Sequence, residues 1–195
     1  MQPDYLRSKF DAGHTYDDYL ATGTDAQRNG WLKVGDDLTL TPGQTGMLAA
    51  FKRDMKVLVL SGIWCGDCVR QGPMIQAIAD ACGREAGGTC EVRWLDRDAH
   101  PELQERVRIN AGNRVPVAIF LSEDFQLVAW AGDKLISRYR IMAQQQLTEG
   151  AQCPIAGAPI PADELAAELG DWIEEFERVH LLLRLSGRLR QLHGD

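Results

Sequence analysis

The apolar run Val57-Leu58-Val59-Leu60 leads almost directly into Trp64-Cys65-Gly66-Asp67-Cys68. A strand that delivers the chain to a Cys-x-x-Cys, which then opens a helix, leaves few folds available. Two intervening residues let the cysteines close a small disulfide ring. A helix N-terminus supplies unpaired backbone N–H groups and a favourable dipole to the first sulfur, so its thiolate is stabilised. Thiolate rather than thiol is the attacking species in disulfide exchange. The spacing therefore predicts a redox dithiol with Cys65 as the exposed nucleophile and Cys68, inside the first turn, as the resolving thiol.

Cys-x-x-Cys is also half of many tetrahedral zinc sites, and such sites need a second pair of ligands. Cys82, Cys90 and Cys153 are widely spaced, and His14, His100, His180 and His193 form no paired cluster. No metal or other cofactor is expected.

Downstream, Met74, Ile75, Ile78 and Ala79 recur at helical spacing, with Pro73 one turn into the helix, where it should kink the axis. Residues 91–96 alternate as a strand, 101–109 have helical character, and Val115-Pro116 enters the apolar run 117–121. A further strand spans 126–130. The order is strand, Cys-x-x-Cys, helix, strand, helix, Val-Pro, strand.

At this point the chain resembles the thioredoxin superfamily. The resemblance rests on Trp64 to Cys68, on Pro73 five residues past the second cysteine, on Leu95-Asp96 to His100-Pro101, on Val115-Pro116, and on Gly132 after the 126–130 strand. It spans about residues 50 to 145. It implies an α/β fold, a three-layer α/β/α sandwich around a mixed central sheet, with a Cys-Gly-Asp-Cys active site. It further implies a cis bond before Pro116, placed beside the dithiol so that the Val115 backbone meets an extended substrate. X-Pro bonds tolerate cis far better than others; the alternative is a trans proline opening an edge strand. Trp64, Gly66, Asp67, Val115, Pro116 and Gly132 are the expected substrate-binding residues around the catalytic Cys65 and Cys68.

Two positions depart from the family. Where thioredoxins carry a buried aspartate that moves the resolving thiol's proton, this chain has Val59. Where they carry proline between the cysteines, it has Asp67, whose charge should oppose the Cys65 thiolate and make the dithiol reducing rather than strongly oxidising. Asp67 also reads as an ordinary first-turn acid of a helix.

The 195 residues suffice for one substantial core, and 45% hydrophobic with 25% charged residues is ordinary for a globular chain. A net charge of −7 argues against nucleic-acid partners. The N-terminus lacks the basic and apolar segments of a secretory signal, and no run approaches the roughly 18 apolar residues of a membrane span. A cytoplasmic setting is expected, with Cys65–Cys68 a transient disulfide and Cys82, Cys90 and Cys153 free thiols.

Residues 1–50 read as a helical N-terminal extension packed on the core. Helix starts are marked by Thr15, by Thr24 with Gln27, and by Thr41-Pro42 with Gln44. Residues 51–149 form the thioredoxin-like core, closed by a helix over 135–147. Residues 150–195 hold a Pro/Gly linker (153–161) and a C-terminal helical extension, one helix or two, with Gly170 and Ser186-Gly187 as candidate breaks. The extension docks on its own domain or pairs two subunits as a homodimer. The expected activity is thiol–disulfide oxidoreduction on disulfide-containing proteins, with an upstream thiol reductant, a thioredoxin reductase or a low-molecular-weight thiol. The alternatives are a small-molecule thiol or peroxide reductase and a non-catalytic binding or scaffold module.

Overall fold

The computed structural model describes residues 1–147 and 160–194. Most of the 153–161 linker, with Cys153, lies outside the described residues.

The four strands β1 (Met55–Ser61), β2 (Cys90–Asp96), β3 (Val117–Leu121) and β4 (Leu127–Gly132) form one sheet in the order β2-β1-β3-β4. β1 pairs parallel with β2 and antiparallel with β3, and β3 pairs antiparallel with β4. Val57, Leu58, Val59 and Leu60 are all fully buried. A central strand covered on both faces requires such a continuous apolar run.

Alternation along β1 assigns the helices to faces. Lys56 lies over the Phe10 ring of α1 (Pro3–Asp11), as does Arg93, the neighbour of Leu58 across the β1–β2 ladder. α1 in turn pairs through Lys9 with Glu102 of the short α6 (Pro101–Gln104), so these two helices cover the face of residues 56, 58 and 60. The opposite face, residues 57, 59 and 61, meets α5 (Gly66–Ala81) and α8 (Ala162–Arg184). There Phe120, the β3 neighbour of Val57, packs edge-on to Phe176 of α8, and Trp94, the β2 neighbour of Val59, donates its indole N–H to Gln76 of α5. The result is the expected α/β/α arrangement around a mixed sheet.

The N-terminal helices form where their caps predict. Thr15 caps α2 (Tyr16–Ala21), and full capping boxes open α3 (Asp25–Asp36) and α4 (Pro42–Ala49). α1 has no such box, only Pro3 at its first position, which is why the threonine-led reading passed over it. Trp31 of α3, fully buried, sits with Tyr19 and Trp94 in an aromatic cluster at ring separations of 5.6–5.7 Å.

Two expected elements differ in extent. The 101–109 helix stops at Gln104 and continues only as a 3₁₀ turn over Glu105–Val107. The C-terminal helix runs unbroken through Gly170, where helix surface is open, and ends at Arg184 with Leu185 as its C-cap; Ser186 then caps α9 (Gly187–His193). α8 buries Leu165, Leu169, Trp172, Phe176, Val179 and Leu183, and its Glu168 accepts two bonds at 2.8 and 2.9 Å from Arg70 of α5. The closing helix α7 spans Ile136–Leu147. No helix among the described residues is long and apolar enough to cross a membrane.

Candidate functional site

β1 ends at Ser61, the chain turns through Gly62 to Trp64, and Cys65 becomes the N-cap residue of α5. The turn is fixed by the Cys65 N–H donating to the Gly62 carbonyl at 2.9 Å. From the opposite side, the buried Trp31 indole donates to the Ile63 carbonyl at 3.2 Å. Trp31 reaches this turn by packing directly against Gly72 of α5: a Cβ there would fall 1.9 Å from its ring.

Cys65 is half-buried, Cys68 fully buried, and the two are thiols rather than a disulfide. A hydrogen bond from the Cys68 thiol lowers the Cys65 pKa, aided by the backbone N–H groups of Cys68 and Asp67. Together they outweigh burial and the Asp67 charge and bring it to about 6. Cys68 goes the other way. Burial, then the hydrogen bond and charge of Cys65, push it well above an ordinary thiol, against the pull of the Ser61 hydroxyl and the Gly62 N–H. That N–H donates to Cys68 Sγ at 3.4 Å. The helix end has separated two chemically identical thiols into an ionisable one and a protonated one.

The distant landmarks meet here. The Val115–Pro116 bond is cis, and the Val115 carbonyl lies 3.9 Å from Cys65 Sγ. Gly132 has φ +144, and a Cβ on it would fall 2.2 Å from the Pro116 carbonyl oxygen, so only glycine lets β4 close against the proline loop. Trp64 is half exposed beside the dithiol, under the Arg97 guanidinium at 4.8 Å. Gly66 opens α5 with free space around it.

Asp67 is not an isolated charge. Lys134, nearly buried, places Nζ 2.7 Å from its carboxylate and 3.4 Å from that of Asp133. Burial works against the Lys134 ammonium, but the two carboxylates outweigh it and raise its pKa. Asp133 follows Gly132 across a second cis peptide bond. Burial works to raise its pKa, but the Tyr139 hydroxyl at 2.5 Å, with Lys134 and Arg114, holds it below the ordinary carboxylate range. Its backbone carbonyl accepts from Gln71 of α5 at 2.7 Å, and Gln71 is held by the Trp172 indole of α8 at 3.0 Å.

The sequence reading passed over Lys134, Asp133, Trp31 and Ser61. Ser61 lay closest to being found. It shares the β1 face of Val59, two residues nearer the dithiol, and its fully buried hydroxyl is the polar group β1 presents to Cys68. A cavity of about 520 Å³ opens beside Cys65, walled by Lys33 and Val34 of α3 and by Asp67, Arg70 and Arg138. Among the described residues no group of three or more His, Cys, Asp and Glu side chains is placed to share a metal ion.

The mixed sheet, the helix that starts at Cys65 and the cis-proline loop facing it define a thioredoxin-like domain with added helices. The chain matches the thioredoxin family over residues 13–133 and belongs to it. That match takes in α2 to α4 as well as the sheet. Among solved structures, the chain is similar to a protein of unknown function from Pseudomonas aeruginosa. The identity is 15% and the TM-score 0.67, covering 88% of this chain and 93% of that one. It is also similar to an HIV epitope-scaffold, at 16% identity and a TM-score of 0.58, covering 97% and 98%. At these identities the likeness is one of fold. No curated protein matches the chain.

Proposed function

We propose that this protein is a thiol–disulfide oxidoreductase that reduces disulfides of other proteins through Cys65 and Cys68. The observation that carries this reading is the opposite displacement of the two thiols, Cys65 down to about 6 and Cys68 well up. Near neutral pH, Cys65 is the thiolate. Its sulfur attacks one sulfur of the substrate disulfide; a new S–S bond forms, the old one breaks, and the departing substrate thiolate takes a proton from water. Cys68 then gives up its proton and attacks Cys65 Sγ, closing the Cys65–Cys68 disulfide and releasing the second substrate thiol. An upstream thiol, a reductase or a low-molecular-weight thiol, returns the pair to its reduced form.

The Val115 carbonyl beside Cys65 offers main-chain pairing to an extended substrate, with Trp64, Gly66, Asp67, Pro116 and Gly132 forming the surrounding surface. A cytoplasmic setting, where reductants keep thiols available, suits this direction of transfer. The cavity beside Cys65 supports a second reading, a reductase of small disulfides or peroxides. Turnover of an insulin-type protein disulfide, measured against a small disulfide with the same reductant, decides between them. Faster protein reduction supports the first reading, and inactivity on both favours a scaffold role.

A further inference from the structure

Helix α3 turns the dithiol end of α5 into a walled space. The two helices approach closely through glycines: Trp31 packs against Gly72, and a Cβ on Gly30 or Gly35 would meet Val69 or Pro73 at 3.6 and 3.8 Å. The cavity of about 520 Å³ beside Cys65 lies between them, with Arg138 of α7 and Ile160 completing its wall. Small-ligand sites have volumes of roughly 300–1,000 Å³. Among the described residues the wall takes nothing from Trp64, Val115, Pro116 or Gly132, so the cavity is separate from the surface assigned to a protein substrate. Cys65 belongs to both.

The wall mixes apolar surface with charges of both signs. Val34, Val69 and Ile160 are its apolar part. Two of its charged groups are taken up by the fold, Asp67 by Lys134 and Arg70 by Glu164 and Glu168. Arg138 stands 3.6 Å from Glu164, beyond hydrogen-bond distance. Lys33 and Asp37, one turn apart at the end of α3, are exposed and have no ion pair among the described residues. A ligand matching this wall carries carboxylates for Lys33 and Arg138 and an ammonium for Asp37. Because Cys65 lines the same space, its reactive atom is a sulfur.

We propose that this cavity binds the low-molecular-weight thiol that recycles the dithiol, an amino-acid-type thiol bearing carboxylates and an ammonium, and holds it as a mixed disulfide on Cys65. The inference rests on the disulfide-exchange reading above. In the oxidised protein, the ligand thiolate attacks Cys65, the half-buried sulfur of the pair. A new S–S bond forms, the Cys65–Cys68 bond breaks, and Cys68 leaves as a thiolate that takes a proton from water. A second ligand thiolate attacks the sulfur of the bound ligand. The ligand disulfide forms and Cys65 departs as a thiolate. Two ligand thiols are oxidised to one disulfide, and the protein disulfide is reduced to two thiols.

The same mixed disulfide is reached from the reduced side. The test uses the full chain carrying Cys68→Ser, which cannot resolve it, with three probes: oxidised glutathione, cystamine, which has no carboxylate, and uncharged hydroxyethyl disulfide. Mass spectrometry of tryptic peptide 57–70 reads the rate at which each adds to Cys65. Lys33→Glu should lower the ratio of the glutathione rate to the hydroxyethyl rate by about fivefold and raise the corresponding cystamine ratio; intrinsic reactivities cancel between variants. Lys33→Arg should restore the wild-type ratio. Lys52→Glu makes the same charge change before β1, at the end of the strand away from Cys65, and should leave the ratio where it was. The proposal is overturned if Lys33→Glu does not move the ratio, or if Lys52→Glu lowers it equally, which would show an effect of net charge alone. A Cys65 that reacts with none of the three disulfides would instead overturn the exchange reading itself.

Discussion

Lys134 Nζ lies 2.7 Å from the Asp67 carboxylate, so the acid between the two cysteines is paired within the fold. This relationship resolves a conflict posed by the sequence. An unpaired carboxylate one residue past the helix start would work against the thiolate it adjoins. The Asp67 charge ranks below burial and the hydrogen bonds in its effect on Cys65, and the bonds from the Cys68 thiol and the helix-end N–H groups prevail. Replacing the ammonium by an apolar chain, Lys134→Met, takes from Asp67 its paired cation and leaves the buried Asp133 to Arg114 and Tyr139. The Cys65 pKa should rise by on the order of one unit, read as the midpoint of thiolate absorbance against pH, while Lys134→Arg should restore most of the original value. An unchanged midpoint in Lys134→Met would show that the pair holds the loop without tuning the thiol.

The separation of the two thiols predicts an asymmetry between their variants. Cys65→Ser should abolish disulfide reduction, whereas Cys68→Ser should still attack and accumulate mixed disulfides. Alkylation of Cys65 should climb as pH rises through about 6 and then level off. The direction follows from the sign of the displacement: the thiolate predominates above that value and is lost as pH falls through it. Cys68 should stay unreactive over the same range. Equal trapping by both serine variants on non-reducing gels would refute the assignment, as would a Cys65 midpoint at the ordinary thiol value of about 8.5.

A third expectation concerns how α3 supports the site. Trp31 lies on Gly72, and its indole holds the Ile63 carbonyl two residues before Cys65. Tyr19 and Trp94 enclose the ring, so it cannot yield to a methyl group 1.9 Å away. Gly72→Ala should lower stability by about 1–3 kcal/mol, the usual range for overpacking a filled core, measured by urea or thermal unfolding. Gly35→Ala is the control, since a Cβ there meets Pro73 at 3.8 Å, an ordinary contact. If both variants unfold alike, Trp31 does not depend on Gly72.

What could be read from the chain was whatever its local chemistry states. The Cys-x-x-Cys after an apolar run and the threonine capping boxes each carry their structural meaning within a few residues, whereas Val115-Pro116 and Gly132 are legible only through the family resemblance, since Gly132 answers to the Pro116 carbonyl sixteen positions away. Together they order the sheet and its principal helix. Lys134, Trp31 and Gln71 do not. A lysine after Gly132-Asp133 looks like any surface cation until the fold lays it against Asp67, and a tryptophan mid-helix states only that it will be buried. Their roles depend on residues tens of positions away. Val59 shows the same limit: the missing acid was legible, but the hydroxyl two residues further along the same strand face was not recognised as the group beside the resolving thiol.

That hydroxyl yields the last prediction. Ser61 and Tyr19 are buried polar residues, and both adjoin Cys68. Ser61 lowers the cost of ionising Cys68 in a site where burial drives its pKa up. Removing it by Ser61→Ala should therefore push Cys68 higher, leaving less resolving thiolate at any given pH. Resolution of a preformed Cys65 mixed disulfide should slow near neutral pH, and its pH profile should move to the alkaline side. Alkylation of Cys65 should follow the wild-type profile closely, because its hydrogen bonds come from Cys68 and Asp67. Ser61→Thr keeps the hydroxyl and should recover most of the rate. Single-turnover resolution against pH in the three proteins is the measurement. Superimposable profiles for wild type and Ser61→Ala would mean that Cys68 loses its proton by another route, and that β1 contributes packing alone at this end of the sheet.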